Sequence, residues 1–328
     1  MADAPDPDAL AAALAPVCGT GSVDGLRRLS GGASRESWSF DLVAPDGTRG
    51  GFVLRRDPGE HHLKSERSTE YRLLEATAAA GVPVPRVRRL LEPEHGLGEG
   101  FVMDRVEGES IARRILRDDA YADARPHMAA QCGEIAARIH AVDPATLPAL
   151  EVQDVAVHLE QFRTVLDTWG EPHPAFELGI NWLAERVPAT PSAPRLVHGD
   201  FRNGNFIVGP EGIRAVLDWE LAHLGDPAED LGWLCVKSWR FGVRDRFVGG
   251  FGDVDDLLRA YEAAGGEPVD HERLRFWIAL GTLRWGVICI TQAFTHLSGL
   301  VRSVELATIG RRVAETEWDL LDILDGGW

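Results

Sequence analysis

The chain has 328 residues, 45% hydrophobic and 26% charged, a composition that excludes a disordered protein and suits a globular one of roughly two lobes or domains. Its formal net charge of −17 argues against a nucleic-acid-binding surface, because phosphate backbones are held by clustered Lys and Arg. Cys18, Cys132, Cys235 and Cys289 are too widely spaced for a zinc knuckle or a disulfide framework.

At the N-terminus, MADAPDPDALAAALAPV is alanine-rich with an acidic leader and no Lys or Arg, which is the wrong charge for a signal peptide; a cytoplasmic protein is expected. Strand signals follow. Ser37–Leu42 places apolar residues at alternate positions, Pro45-Asp46-Gly47 supplies a turn, and Gly51–Arg56 returns, which predicts a β-hairpin. A helix is expected within residues 61–80, where Leu63, Tyr71, Leu74 and Ala78 share a face and Gly81 with Pro83 ends the run. Two further strands fit Arg86–Leu91 and Gly100–Val106.

Beyond Gly108 the periodicity becomes helical. Met128, Cys132, Ile135, Ala136 and Ile139 form one apolar stripe, and similar patterns cover Val155–Trp169, Phe176–Val187, Arg273–Thr291 and Val304–Leu324. The apolar run Trp277–Ile290 is too short to span a bilayer and carries Arg284, so it reads as a core helix and no membrane partner is expected. The predicted fold class is α+β and bilobal. An N-terminal lobe of antiparallel sheet plus one long helix (residues 1–106) precedes a mostly helical C-terminal lobe (residues 107–328).

One stretch breaks the pattern. HGDFRNGNFIV (198–208) sets polar residues and two glycines between apolar flanks, which a surface turn would explain in part, since Asn, Asp and Gly dominate turns. A turn does not account for Asp200 and Asn205 being followed by a second apolar strand, Ile213–Leu217, that delivers Asp218. Two carboxylates and an amide at adjacent strand ends form the all-oxygen set that Mg²⁺ takes beside substrate phosphates.

His198-Gly199-Asp200-x-x-x-x-Asn205 together with Leu217-Asp218-Trp219 resembles the catalytic and metal-binding loops of the aminoglycoside phosphotransferase-like kinases, relatives of the protein kinases. The resemblance runs from Leu29 to Leu231 and implies a protein-kinase-like fold that uses ATP and Mg²⁺. Asp200 would be the catalytic base, Asn205 and Asp218 the metal ligands, and Arg202 a stabiliser of the transferring phosphoryl group. Gly31, Gly32 and Ser34 resemble the family's phosphate loop, and Phe101–Gly108, with Met103, resembles the adenine-binding hinge. Arg55 stands where the wider kinase pattern has lysine, with Arg56 as the alternative, since strand alternation points only one inward. Glu70 in Thr69-Glu70-Tyr71-Arg72 would orient that cation, with Glu66 the fallback. Gly225-Asp226-Pro227-Ala228-Glu229-Asp230-Leu231 resembles a family segment in which Asp230 buttresses the catalytic loop through backbone hydrogen bonds and Asp226-Pro227 starts a helix. A metal site of His223 with His198 is disfavoured against Mg²⁺, and His198 is expected to order the loop.

The implied reaction is transfer of the γ-phosphoryl group of ATP to a small-molecule hydroxyl. The motifs look closest to the kinase domains associated with acyl-CoA dehydrogenases, which suggests a hydroxyacyl-CoA acceptor. The alternatives are an aminoglycoside or other antibiotic kinase, a choline- or homoserine-type kinase, and a nucleotide-binding pseudokinase, the last because of Arg55.

Overall fold

The structure, a computed structural model, describes residues 4–29, 36–57, 67–189 and 193–327. Strands β1 (Ser22–Arg28), β2 (Glu36–Val43), β3 (Arg49–Asp57), β4 (Val87–Leu91) and β5 (Glu99–Asp104) form one antiparallel sheet in the order β1-β2-β3-β5-β4. Its centre is the predicted hairpin, with β2 and β3 in unbroken register from Glu36↔Arg56 to Val43↔Arg49. Strand alternation gives the sheet two apolar faces. Phe40, Leu42, Phe52, Leu54 and Val102 pack against Leu10, Ala13 and Leu14 of helix α1 (Pro7–Cys18). Val53, Phe101 and Met103 belong instead with Leu73 and Leu74 of α2 (Arg67–Ala79), in a core continuous with that of the helical lobe.

Helix α1 and strand β1 extend the sequence reading. The start of α1 is legible in retrospect: Asp6 caps it, accepting from the Asp8 N–H at 3.0 Å, and Pro7 occupies the first position. Strand β1 shows no clean alternation because it lies at the sheet edge, is mostly exposed, and carries an irregularity between Asp24 and Arg27.

After β5 come α3 (Ala112–Arg117), α4 (Arg125–His140), α5 (Val155–Trp169) and α6 (Pro174–Glu185). Two small antiparallel pairs then carry the polar loops: β6 (Arg195–Val197) with β9 (His223–Gly225), and β7 (Phe206–Gly209) with β8 (Gly212–Val216). Helices α7 (Ala228–Cys235), α8 (Val254–Ala263), α9 (His271–Leu297), α10 (Val304–Gly310) and α11 (Val313–Leu324) complete the chain. The single helix expected over 304–324 is therefore two. It breaks at Gly310, where a Cβ would come within 2.6 Å of the Ala293 Cβ on α9, so close packing and glycine's poor helix propensity act together. By length and composition α9 could cross a membrane, but 72% of its apolar window is buried inside the protein, where it packs against α7, α10 and α11.

The architecture is α+β and bilobal. The lobes meet through backbone as well as side chains: Val216 N–H donates to Pro83 O at 2.8 Å, and just past the boundary Glu109 and Val208, both of the C-terminal lobe, exchange two hydrogen bonds of 2.9 Å.

Candidate active site

The loop after β6 is held from below by one residue of α7. Asp230, fully buried, accepts from the His198 N–H at 2.8 Å and the Gly199 N–H at 3.0 Å, while its Oδ2 also lies 3.1 Å from His140 Nε2. Gly199 itself sits at φ +79°, and a Cβ there would meet the Leu221 carbonyl oxygen at 2.3 Å, so both conformation and space require glycine. The His198 ring is fixed at both ends: Nδ1 accepts from the Asp200 N–H at 3.1 Å, and Nε2 donates to Leu217 O at 3.0 Å. That pattern defines a neutral ring. Burial also pushes the His198 pKa below its ordinary value, against the opposing pull of Asp230, Asp200 and Asp218. His198 thus links the Asp200 loop to the strand that delivers Asp218.

Asp200 presents a carboxylate whose two oxygens are both engaged. Oδ1 accepts from Trp233 Nε1 at 2.7 Å and from Arg202 Nε at 2.9 Å, and Oδ2 accepts from Asn205 Nδ2 at 2.6 Å. The Arg202 guanidinium lies over the Trp239 ring, 4.3 Å from its centroid. Trp233 is absent from the motif reading, yet it stands three residues after Asp230 on α7, so one helical turn supplies both the support of the loop backbone and a donor to the carboxylate. That i, i+3 spacing in Asp230-Leu231-Gly232-Trp233 was the available signal.

The sheet contributes from the other side. Arg55 on β3 reaches Glu70 of α2 at 2.8 Å and Asp218 at 3.1 Å. Glu70 is in turn bound by Arg67 at 2.6 Å, and Arg67 by Asp57 at 2.8 Å. Burial works against the Arg55 charge, but Glu70 and Asp218 outweigh it and raise the pKa, so the guanidinium stays ionised. The neighbouring Arg56 faces the opposite way and pairs with Glu36 at 3.2 Å. Met103 is buried on β5 opposite Val53, on the Arg55 face of the sheet. Gly31, Gly32, Ser34 and Glu66 lie outside the described residues.

Asp218 adopts φ +69°, the left-handed region that non-glycine residues enter at a cost of roughly 1–3 kcal/mol. Its neighbour Leu217 donates its N–H to Asn205 O at 2.8 Å, which ties the two loops together. The Asn205 amide donates to both the carboxylate and the backbone oxygen of Asp200, leaving its Oδ1 as the atom for a cation. An amide oxygen beside a carboxylate is a hard donor set that fits Mg²⁺.

Behind the loop sits a second buried charge cluster. Glu229 Oε2 lies 3.2 Å from both His158 Nε2 and His223 Nε2, and Oε1 accepts from Arg284 at 2.9 Å. His223 therefore belongs to this cluster and not with His198. Burial raises the Glu229 pKa, but the two imidazoles overcome it and hold the carboxyl well below its usual range. Burial likewise lowers His223, and Glu229 overcomes it to raise the pKa. A raised imidazole contributes stability that is fully present below about pH 6.5 and is lost as pH rises through its folded value. The Tm gap between wild type and His223→Asn is accordingly expected to narrow as pH increases from 5.5 to 9, as read by thermal scans. A gap independent of pH would contradict a charged His223.

A two-lobed fold with a buttressed carboxylate loop between sheet and helices places the chain among the phosphotransferases by family. The chain belongs to the phosphotransferase enzyme family (APH), whose profile matches residues 25–277. Among curated proteins it is similar to the acyl-CoA dehydrogenase family member 10 of Mus musculus, 30% identical over 297 residues, covering 82% of this chain and 27% of that protein. The chain thus spans about a quarter of that relative's length. Among solved structures, a candidate aminoglycoside phosphotransferase from Ralstonia eutropha superposes with a TM-score of 0.76 at 24% identity, covering 96% of this chain and 98% of the other. A thermostable variant of aminoglycoside phosphotransferase APH(4)-Ia, in ternary complex with AMP-PNP and hygromycin B, gives a TM-score of 0.62 at 19% identity over 97% and 98%.

Proposed function

We propose that the protein transfers the γ-phosphoryl group of ATP to the hydroxyl of a small molecule. The observation that carries this reading is the convergence of Asp200, Asn205 and Asp218 on two hydrogen-bonded loops, with Arg55 reaching Asp218 from the sheet. Asp200 orients the acceptor hydroxyl and takes its proton, its carboxylate already held by Trp233, Arg202 and Asn205. Asn205 and Asp218 hold Mg²⁺, which supplies charge neutralisation of the phosphates when bound. Arg55, kept ionised and aimed by Glu70, binds the nucleotide phosphates with a planar fork in place of a lysine's point charge. Arg202 keeps positive charge beside the hydroxyl and the incoming phosphoryl group.

For the acceptor, the likeness to a protein named for acyl-CoA dehydrogenation favours a hydroxyacyl-CoA. The second reading, an aminoglycoside kinase, is favoured by the structures superposed above. ATP turnover with a panel of 3-hydroxyacyl-CoAs, aminoglycosides and simple alcohols separates the two. Retained ATP binding with no phosphorylation of any acceptor would refute both and point to a pseudokinase.

A test of the nucleotide side is Arg55→Met. It is expected to raise the KM for ATP by roughly 10-fold or more, as for a lost charge-assisted hydrogen bond, with Arg55→Lys in between. An unchanged KM in the methionine variant would remove Arg55 from the phosphate site.

A further inference from the structure

The turn Lys237–Arg240, which follows α7, brings a guanidinium inside the protein without a counter-ion. Arg240 is only 6% exposed. Its Nε and Nη2 donate to Cys235 O, the last carbonyl of α7, at 3.2 and 2.8 Å, and the group lies 4.3 Å from the centroid of the Phe247 ring. Nη1 has no hydrogen bond to a described residue. The two other buried arginines among the described residues each hold a carboxylate: Arg56 pairs with Glu36 at 3.2 Å and Arg67 with Asp57 at 2.8 Å. Arg240 pairs with none. Burial holds its pKa below the ordinary arginine value, against the pull of Cys235 and the more distant Asp319. The C-terminal end of α7 offers only a partial negative charge, so the buried cation stays largely uncompensated.

Arg240 opens on a cleft of about 450 Å³ that Lys237, Arg244, Asp319 and Asp322 also line. Lys237 Nζ and Asp319 Oδ1 bond to each other at 2.5 Å. Asp322 is exposed, where water and salt screen its charge, whereas Arg240 is buried. Arg244 is exposed and has no partner among the described residues. The cleft therefore holds three cations against two carboxylates, and two of the cations are guanidinium groups without an ion pair. A guanidinium takes carboxylate and phosphate oxygens through paired N–H donors, which suits it to a partly buried anion.

We propose that Arg240 and Arg244 form an oxyanion-binding site, which takes the phosphate or carboxylate group of a small ligand into this cleft. The site is separate from Arg55, which pairs with Glu70 and Asp218, and does not depend on the kinase reading. It lies close in the chain to the support of Asp200: Trp239, the residue before Arg240, carries on its ring the Arg202 guanidinium that bonds the Asp200 carboxylate.

Inorganic phosphate and succinate, titrated separately into the full chain by calorimetry at low ionic strength, are the probes. Because Arg55 also offers an anion a seat, the titrations are repeated in Arg55→Met. Phosphate, succinate or both are expected to bind in wild type and in Arg55→Met alike. Arg244→Met is expected to weaken that binding about 10-fold, the size of one lost charge-assisted hydrogen bond. Arg244 is exposed and bonded to no described residue, so its replacement disturbs no contact of the fold. Arg240→Lys keeps the charge but removes the fork, and is expected to weaken binding by a similar factor. Binding of phosphate alone assigns the site to a phosphorylated ligand, and binding of succinate alone to a carboxylic acid. Binding of neither, or binding that both arginine variants of the cleft leave unchanged, would overturn the site, as would binding that disappears in Arg55→Met.

Discussion

Asp200→Asn is expected to lower kcat by about 10²- to 10⁴-fold, the range that a positioned general base contributes, while nucleotide binding stays close to that of the wild type. The asymmetry follows from the contacts. Asp200 is bonded to Trp233, Arg202 and Asn205, all on the helical-lobe side, whereas Arg55, Glu70 and Asp218, the proposed nucleotide side, bond to one another. Asparagine keeps an oxygen for Trp233 and Arg202 but turns an N–H₂ toward the amide of Asn205, where two donors then oppose each other. Steady-state turnover and an equilibrium nucleotide titration measure the two halves. Turnover within a few-fold of wild type would remove Asp200 from the chemistry.

The largest stability effect is expected at Asp230. Truncation to alanine strips the partner from two buried N–H groups, those of His198 and Gly199, and from His140, and breaking a buried charged network of this kind costs roughly 3–5 kcal/mol. The loop it supports carries Asp200, so activity should fall with stability. Urea denaturation followed by both circular dichroism and tryptophan fluorescence gives the midpoint shift and shows whether the loss is global. A midpoint within experimental scatter of wild type would mean that the loop is held by something other than α7.

Much of this organisation is readable in the sequence, and the reasons are specific. The hairpin of β2 and β3 shows because alternating burial leaves a period of two, and the loops show because Asp200, Asn205 and Asp218 combine the few residue types that bind a hard cation at strand ends. The Arg55–Glu70 contact can be anticipated only by resemblance, as a partnership of strand and helix, since nothing local links residues 15 positions apart. Trp233 is legible only through its i, i+3 spacing from Asp230: a tryptophan on a helix reads first as core packing, and that its N–H ends on the Asp200 carboxylate is nowhere encoded locally. Likewise the edge strand β1 and the split at Gly310 depend on neighbours, on solvent at a sheet margin and on Ala293 across a helix interface.

Asp230 and Trp233 also bear on how much chain the contacts of the site span. Their bonds to His198, Gly199 and Asp200 span only 32, 31 and 33 residues, whereas Arg55 and Asp218 are 163 apart. Closing the longer loop costs about 1.4 kcal/mol more in chain entropy than closing the 33-residue one. The Asp200 loop and the helix that supports it are therefore a nearly self-contained segment of the chain. Of these contacts the Arg55–Asp218 pair is the one that spans the most chain and carries the largest closure entropy.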